Sequence, residues 1–458
     1  MNFIFYDTET TGLDWAFDQI LQFAAIVTDD GFNPLEELNL RCRLQRHVLP
    51  SPEAMVVTGV GPATIQTAPH SFYEMVCLIR RFIERWTPAV MTGFNNVDFD
   101  EKMLRGAFYQ TLNPVYATNT NGNSRMDVLR LAHAVAEYRP DAIKVPVNEK
   151  GKLVFKLGHL IEANRLTLDN AHDAMADTSA TVALARLLRE RAPEVWDGLY
   201  ACRSRHTVDA ILEKHELVLC TDRGFSKPTI LGGLITRHPD NPAALAMFDL
   251  AYDPALYLNV DLDRAVRLLK SSPRPIRVVR TNALPIIFPH STSQHVGIDL
   301  AIAQERLARI RAHSTFTATI GKAMAAQYED TEEPAYAEQR LYDGFPSKAD
   351  SQRMEQFHKT PWIGRYALAQ GFEDGRYRQF AERLIYNEQP EALPPDWRVA
   401  LDGWRQQRFV APEAPWLTLA AAQAELDELR ASASPDDASL FQDMEAYFAA
   451  ISAEFATS

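Results

Sequence analysis

The chain has 458 residues, 46% of them hydrophobic and 23% charged, an ordinary globular profile that excludes collagen-like, coiled-coil and intrinsically disordered classes. With 47 basic against 60 acidic residues the formal net charge is −13. That argues against a uniformly basic surface coating duplex nucleic acid, but not against a nucleic-acid enzyme whose metal-holding carboxylates add negative charge locally. Cys42, Cys77, Cys202 and Cys220 are scattered with no CxxC pair, and neither a basic leader nor an apolar run of membrane-spanning length is visible. Reduced thiols in a cytoplasmic protein are therefore expected.

Taken in chain order, Asn2 to Thr10 and Ile20 to Thr28 read as strands, and Ser71–Trp86, Phe99–Phe108, Asp127–Glu137 and Ala174–Arg191 as helices. Strands alternating with helices predict an α/β domain with a central sheet over residues 1–191. After a seam near Ala192-Pro193, residues 194–348 carry short apolar runs broken by Gly and Pro: Thr229–Ile235, Ala243–Leu250, Ala255–Val260 and Ile276–Val279. These predict a small β-rich domain with helices attached. Residues 350–458 read as helical, most clearly at Leu417–Leu429 and Ser439–Phe455, and residues 411–458 hold nine acids against one base, Arg430. The middle region runs the other way. Arg264, Arg267, Lys270, Arg274, Arg277 and Arg280 occur with no acid among them, which reads as a solvated helix face followed by an edge strand.

The opening strand carries the strongest chemical signal. Side chains alternate along a strand, so Phe3, Phe5, Asp7 and Glu9 share one face. Two carboxylates projecting together at the end of an apolar strand are costly unless cations neutralise them, and hard oxygen ligands suit Mg²⁺ or Mn²⁺. Further acids arrive at Asp98, Asp100 and Glu101, where a strand gives way to a helix, and at Asp173 and Asp177, where the helix Ala174–Arg191 opens. Asp127 and Asp173 read as helix caps. His172 precedes Asp177 by five residues, which suits a loop base placed to take a proton from a metal-bound water.

Asp7-Thr8-Glu9-Thr10-Thr11-Gly12, Phe99-Asp100, and His172 with Asp177 resemble the three exonuclease motifs of the DEDD superfamily, and the spacing of His172 resembles its DEDDh branch. The stretches 93–100, Asn123-Ser124-Arg125, 170–177 and Leu341-Tyr342-Asp343-Gly344-Phe345 resemble the bacterial exodeoxyribonuclease I family, so that the likeness covers essentially the whole chain. The resemblance implies an α/β fold with an RNase H-like exonuclease domain (1–191), an SH3-like β-rich domain (194–348) and an α-helical C-terminal domain (350–458). It implies processive 3′→5′ release of 5′-mononucleotides from single-stranded DNA, in DNA repair and recombination, by two-metal-ion hydrolysis with Mg²⁺, for which Mn²⁺ can substitute. Asp7, Glu9, Asp100 and Asp177 would hold the metals and His172 would be the general base.

The same resemblance places Glu9, Arg105, Tyr116, Phe155 and Lys156 along the substrate strand, and gives part of Arg264–Arg280 a DNA-facing role in a positively charged passage. It further implies docking of the C-terminal tail of single-strand DNA-binding protein on a basic ridge. Lys227, before Pro228, matches that ridge, whereas Leu300 stands where a ridge arginine is expected. A monomer with no membrane partner is expected. The competing readings are an exoribonuclease trimming RNA 3′ ends and a non-catalytic partner-binding module; the length beyond the first domain argues against the former and the complete ligand set against the latter.

Overall fold

The computed structural model describes residues 1–167, 173–292, 298–327, 333–431 and 437–456. They divide into two compact units: Met1–Asn123, Leu168–Ser179 and Pro334–Ser458 form the first, Ser124–Thr167 and Ala180–Glu333 the second.

The first unit is built on strands β1 (Asn2–Thr10), β2 (Ile20–Thr28), β3 (Pro34–Arg41) and β4 (Ala89–Thr92), in the order β3-β2-β1-β4. The first strand is rich in Phe, Ile, Tyr and Thr, residues that fit a pleated surface. It is central, pairing antiparallel with β2 and parallel with β4. Both its faces are packed. Phe3 and Phe5 meet Phe32 edge-on, at 5.1 and 5.3 Å between ring centroids. Ile4 and Tyr6 join a core with Met75, Ile79 and Phe82 from the helix Phe72–Trp86 and Leu104 and Phe108 from the helix Asp100–Gln110. The first of these helices starts where Ser71 and Glu74 form a reciprocal capping box, which satisfies two otherwise unpaired backbone donors.

The C-terminal helices, among them Lys348–Lys359, Gly375–Glu388 and Pro395–Val410, pack in the same unit. Their core residues Phe357, Phe380 and Tyr386 cluster with Tyr73 and Tyr109 of the two sheet-covering helices. The terminal pair Leu419–Arg430 and Ala438–Ala456 closes a further cluster around Phe409, Phe441 and Phe448.

The second unit opens with the two-residue strand β5 (Ser124–Arg125) and the helix Val128–Tyr138, whose N-cap is Asp127. Its sheet is antiparallel, in the order β10 (Ile286–Pro289), β6 (Val218–Thr221), β7 (Thr229–Arg237), β8 (Ala244–Asp249), β9 (Ile276–Arg280). Helices Leu262–Lys270, Leu300–Ala312 and Ser314–Ala326 bury Leu269, Leu307, Phe316 and Ile320 with Leu219, Leu231 and Phe248 of the strands. Three of the four expected apolar runs are strands. The fourth, Ala255–Val260, is not: Pro254–Leu256 forms a 3-10 turn that Asp253 caps through Ala255 N. The two units thus combine an α/β sheet carrying the C-terminal helices with a β-rich, helix-covered sheet. Among the described residues no helix is long and apolar enough to cross a membrane.

Candidate active site

The site forms at the C-terminal end of β1. The parallel pairing sets Phe5 of β1 opposite Thr92 at the end of β4. Gly93 then turns the chain so close to β1 that an added Cβ would lie 2.5 Å from the Tyr6 carbonyl oxygen; only glycine fits there. The following loop delivers Asp100 at the first position of its helix, almost fully buried, where the Thr8 hydroxyl donates to its Oδ1 at 2.6 Å. Asp177 stands in the first turn of the helix Ala174–Arg191, its backbone N–H donating to the Asp173 carbonyl at 3.0 Å.

The structure therefore brings together Asp7, Glu9, Asp100 and Asp177, and their charges bear on one another. Burial, then Asp100, Glu9 and Asp177, raise Asp7 well above the usual carboxylate range. Burial, then Asp177 and Asp100, push Glu9 up to about 7, an effect that Arg41 partly offsets. Carboxylates left facing one another in a partly buried pocket hold protons or cations, because both forms of compensation remove the repulsion. The donor set is all hard oxygen and so fits a divalent cation of the magnesium class. Among the described residues no three such ligands close to coordination geometry, so the fit rests on the chemistry of the donors and not on a finished cage. His172 lies outside the described residues.

The acids next to Asp100 have other roles. Asp98 is exposed. Glu101 is buried and enclosed: it accepts from Thr118 Oγ1 at 2.7 Å and from Tyr6 Oη at 3.4 Å, and pairs with Arg105 at 2.8 Å. The contact of Thr8 with Asp100 and the enclosure of Glu101 are features that sequence reading misses. Thr8 carries a signal, standing between the two motif carboxylates, whereas the partners of Glu101 come together only in the fold.

Of the expected strand contacts, Arg105 lies over the Tyr116 ring at 5.0 Å, and Tyr116 meets Phe345 at 5.7 Å on the wall of a cavity of about 400 Å³ that Tyr342 also lines. In the second unit Phe155 is half-buried, edge-on to His133 at 4.5 Å and beneath the Arg223 guanidinium at 4.7 Å, and Lys156 beside it is exposed. Lys227 is half-exposed and paired with Asp249 at 2.8 Å. In the basic stretch Arg277 departs from the surface expectation. It is buried, donates to the Pro228 carbonyl at 2.7 Å and to that of Lys227, and lies over the Phe225 ring at 4.4 Å.

Comparison with known proteins decides the class. The Exonuclease family model matches residues 4–185, and the Exonuclease I C-terminal domain model matches residues 335–451. Exodeoxyribonuclease I of Haemophilus influenzae is 30% identical over 413 residues, 82% of this chain and 84% of that protein. The chain belongs to the exodeoxyribonuclease I family. Exonuclease I of E. coli, solved with a dT13 oligonucleotide, superposes with a TM-score of 0.89 at 26% identity, covering 97% of this chain and 98% of that one. A structure described as SSB/exonuclease I with an inhibitor superposes at 0.86 and 26% identity, covering 98% and 99%. The sheet of the first unit is accordingly an RNase H-like exonuclease sheet, and the chain is a 3′→5′ exonuclease, a phosphodiester hydrolase. Exodeoxyribonuclease I membership carries with it dependence on a divalent metal.

Proposed function

We propose that the protein processively degrades single-stranded DNA from its 3′ end to 5′-mononucleotides, in DNA repair and recombination, with two Mg²⁺ ions that Mn²⁺ can replace. The observation that carries this reading is the convergence of Asp7, Glu9, Asp100 and Asp177, where burial and then mutual repulsion raise the first two. Bound metal supplies an activated water and stabilisation of the leaving 3′ oxygen. Asp7, Glu9, Asp100 and Asp177 would hold the metal. Thr8 holds one Asp100 oxygen through its hydroxyl, which fixes the rotamer of that carboxylate. His172, assigned by its place in the motif alone, takes the proton of the attacking water.

The strand is assigned to the Arg105 and Tyr116 pair, with base stacking on the ring, and to Phe155 and Lys156. Lys227 is assigned to the acidic tail of single-strand DNA-binding protein, a partner that the SSB/exonuclease I relative supports. The three-domain division at 1–191, 194–348 and 350–458 and the monomeric, cytoplasmic state belong to the same proposal.

The test is a 5′-labelled single strand, as DNA and as RNA, with Mg²⁺ or EDTA, beside an Asp177→Ala control. Shortening of the DNA from its 3′ end that stops with EDTA and in the control is the expected result. Preferential loss of RNA moves the function to RNA trimming, and no shortening of either strand leaves a binding module.

A further inference from the structure

We propose that Arg41 and Gln22 are positioning residues, which set Asp177 against the sheet through Asp173. The inference rests on the reading of Asp177 as a metal ligand. Register places Glu9 of β1 opposite Gln22 of β2, and Gln22 opposite Arg41 of β3. Residues paired across strands share a face, so Glu9, Gln22 and Arg41 form one row rising from the sheet on the side where Asp177 stands.

Asp173 joins the helix to that row, its Oδ1 and carbonyl serving the helix and its Oδ2 the row. Its Oδ1 accepts from the Met175 backbone N–H at 3.1 Å, capping the helix that carries Asp177. Its carbonyl accepts from the Asp177 N–H at 3.0 Å. Its Oδ2 accepts from the Arg41 guanidinium at 2.6 Å and the Gln22 amide at 3.2 Å. Gln22 is itself buried and also donates to Asn39 Oδ1 at 2.9 Å, which fixes the amide in place. One carboxylate thus caps the first turn of the helix and clamps it to the row containing Glu9.

The clamp does little for global stability. The side chains of Arg41 and Asp173 are 38% and 32% exposed, and an ion pair so open to water contributes little to stability. Its consequence lies in distance. A reacting geometry displaced by about 1 Å costs up to about 10²-fold in rate, and releasing Asp173 frees the helix terminus by that order.

Steady-state kinetics on single-stranded DNA with Mg²⁺ test the clamp in Arg41→Ala, Arg41→Lys, Asp173→Asn, the double variant Arg41→Ala/Asp173→Asn, and Asp177→Asn. Arg41→Ala and Asp173→Asn should each lower kcat between about 10- and 100-fold with KM and the salt dependence of KM unchanged. The double variant should fall no further than either alone, and Arg41→Lys should regain part of the loss. Asn is a good cap, so Asp173→Asn keeps the helix start and carries the test if Arg41→Ala does not fold. Wild-type kcat in Arg41→Ala, or multiplying losses in the double variant, overturns the clamp. A raised KM with kcat intact overturns it too, making Arg41 a contact to the strand. Activity in Asp177→Asn overturns the ligand reading beneath it, and loss of activity in Asp177→Asn alone isolates the failure to the clamp.

Discussion

The end of β1 and the stretch Arg264–Arg280 both gather like charge, and they resolve it in opposite ways. At β1 the carboxylates face one another, and burial with repulsion lifts Asp7 well above its ordinary range and Glu9 to about 7. In the basic stretch the buried arginine is held by backbone acceptors: both terminal nitrogens of Arg277 donate to backbone carbonyls, its Nε alone finding no acceptor among the described residues, and Arg274 shares the Phe225 ring with it at 5.1 Å. Charge density in a sequence therefore does not mark a site. Buried like charges that raise one another do, because an arrangement that opposes folding persists where function demands it.

The largest effect should come from breaking the acidic side. Asp100→Asn keeps the acceptor for the Thr8 hydroxyl but removes a carboxylate that the proposed function assigns to the metal, and several kcal/mol of transition-state stabilisation corresponds to a loss of about 10³-fold in single-turnover rate. Calorimetry should show a thermal midpoint equal to or above the parent's, since one repelling charge is gone. Asp98→Ala should keep its rate. The reverse pattern would place the second-motif ligand at Asp98.

Much of this was legible before the fold. The strands Asn2–Thr10 and Ile20–Thr28 and the helix Ala174–Arg191 match the sequence reading residue for residue, and Asp127 and Asp173 cap their helices as read, because period and caps are local signals. What was not legible is partnership at long range. The strand β3 alternates poorly, Glu36 and Glu37 standing together at the outer edge of the sheet. Arg277 gives no sign in its own segment that it turns inward, because Phe225 and the carbonyls of Lys227 and Pro228 reach it from far earlier in the chain. The burial of Phe155 against His133 and Arg223 is hidden for the same reason.

A second break addresses the basic side. Arg277→Ala leaves two carbonyls without their charged donor in a buried setting, and charge-assisted hydrogen bonds of this kind contribute about 1.5–3 kcal/mol each before the desolvation of the arginine is subtracted. A net loss of roughly 2–3 kcal/mol in urea unfolding is expected, with unchanged turnover in the folded fraction. Arg280, exposed at the end of β9, should behave oppositely. Arg280→Ala should leave stability alone and, if it meets a DNA phosphate, lower the slope of log affinity against log salt by about 0.7. Equal stability losses in both variants would show that burial does not separate them.

The mildest test uses pH and sharpens the contrast from the basic side. Where the acidic cluster holds on to protons, His133 refuses one: burial, then Arg223 and Arg130, lower it from 6.5 to about 4. Folded His133 is thus neutral down to about 4, whereas in the unfolded chain it takes up a proton as pH falls through 6.5. The unfolded state binds more protons across that window, so the contribution of His133 is complete above pH 6.5 and is lost as pH falls toward 4. Between pH 7 and 4.5 this group alone should remove on the order of 2 kcal/mol. Other groups titrate over the same range, so the quantity to measure is the difference between the parent and His133→Gln in urea unfolding at both pH values. The variant should lose less stability on acidification than the parent. Identical acid limbs in the two proteins would mean that burial and the neighbouring arginines do not hold His133 neutral, and that the basic region does not mirror the acidic one.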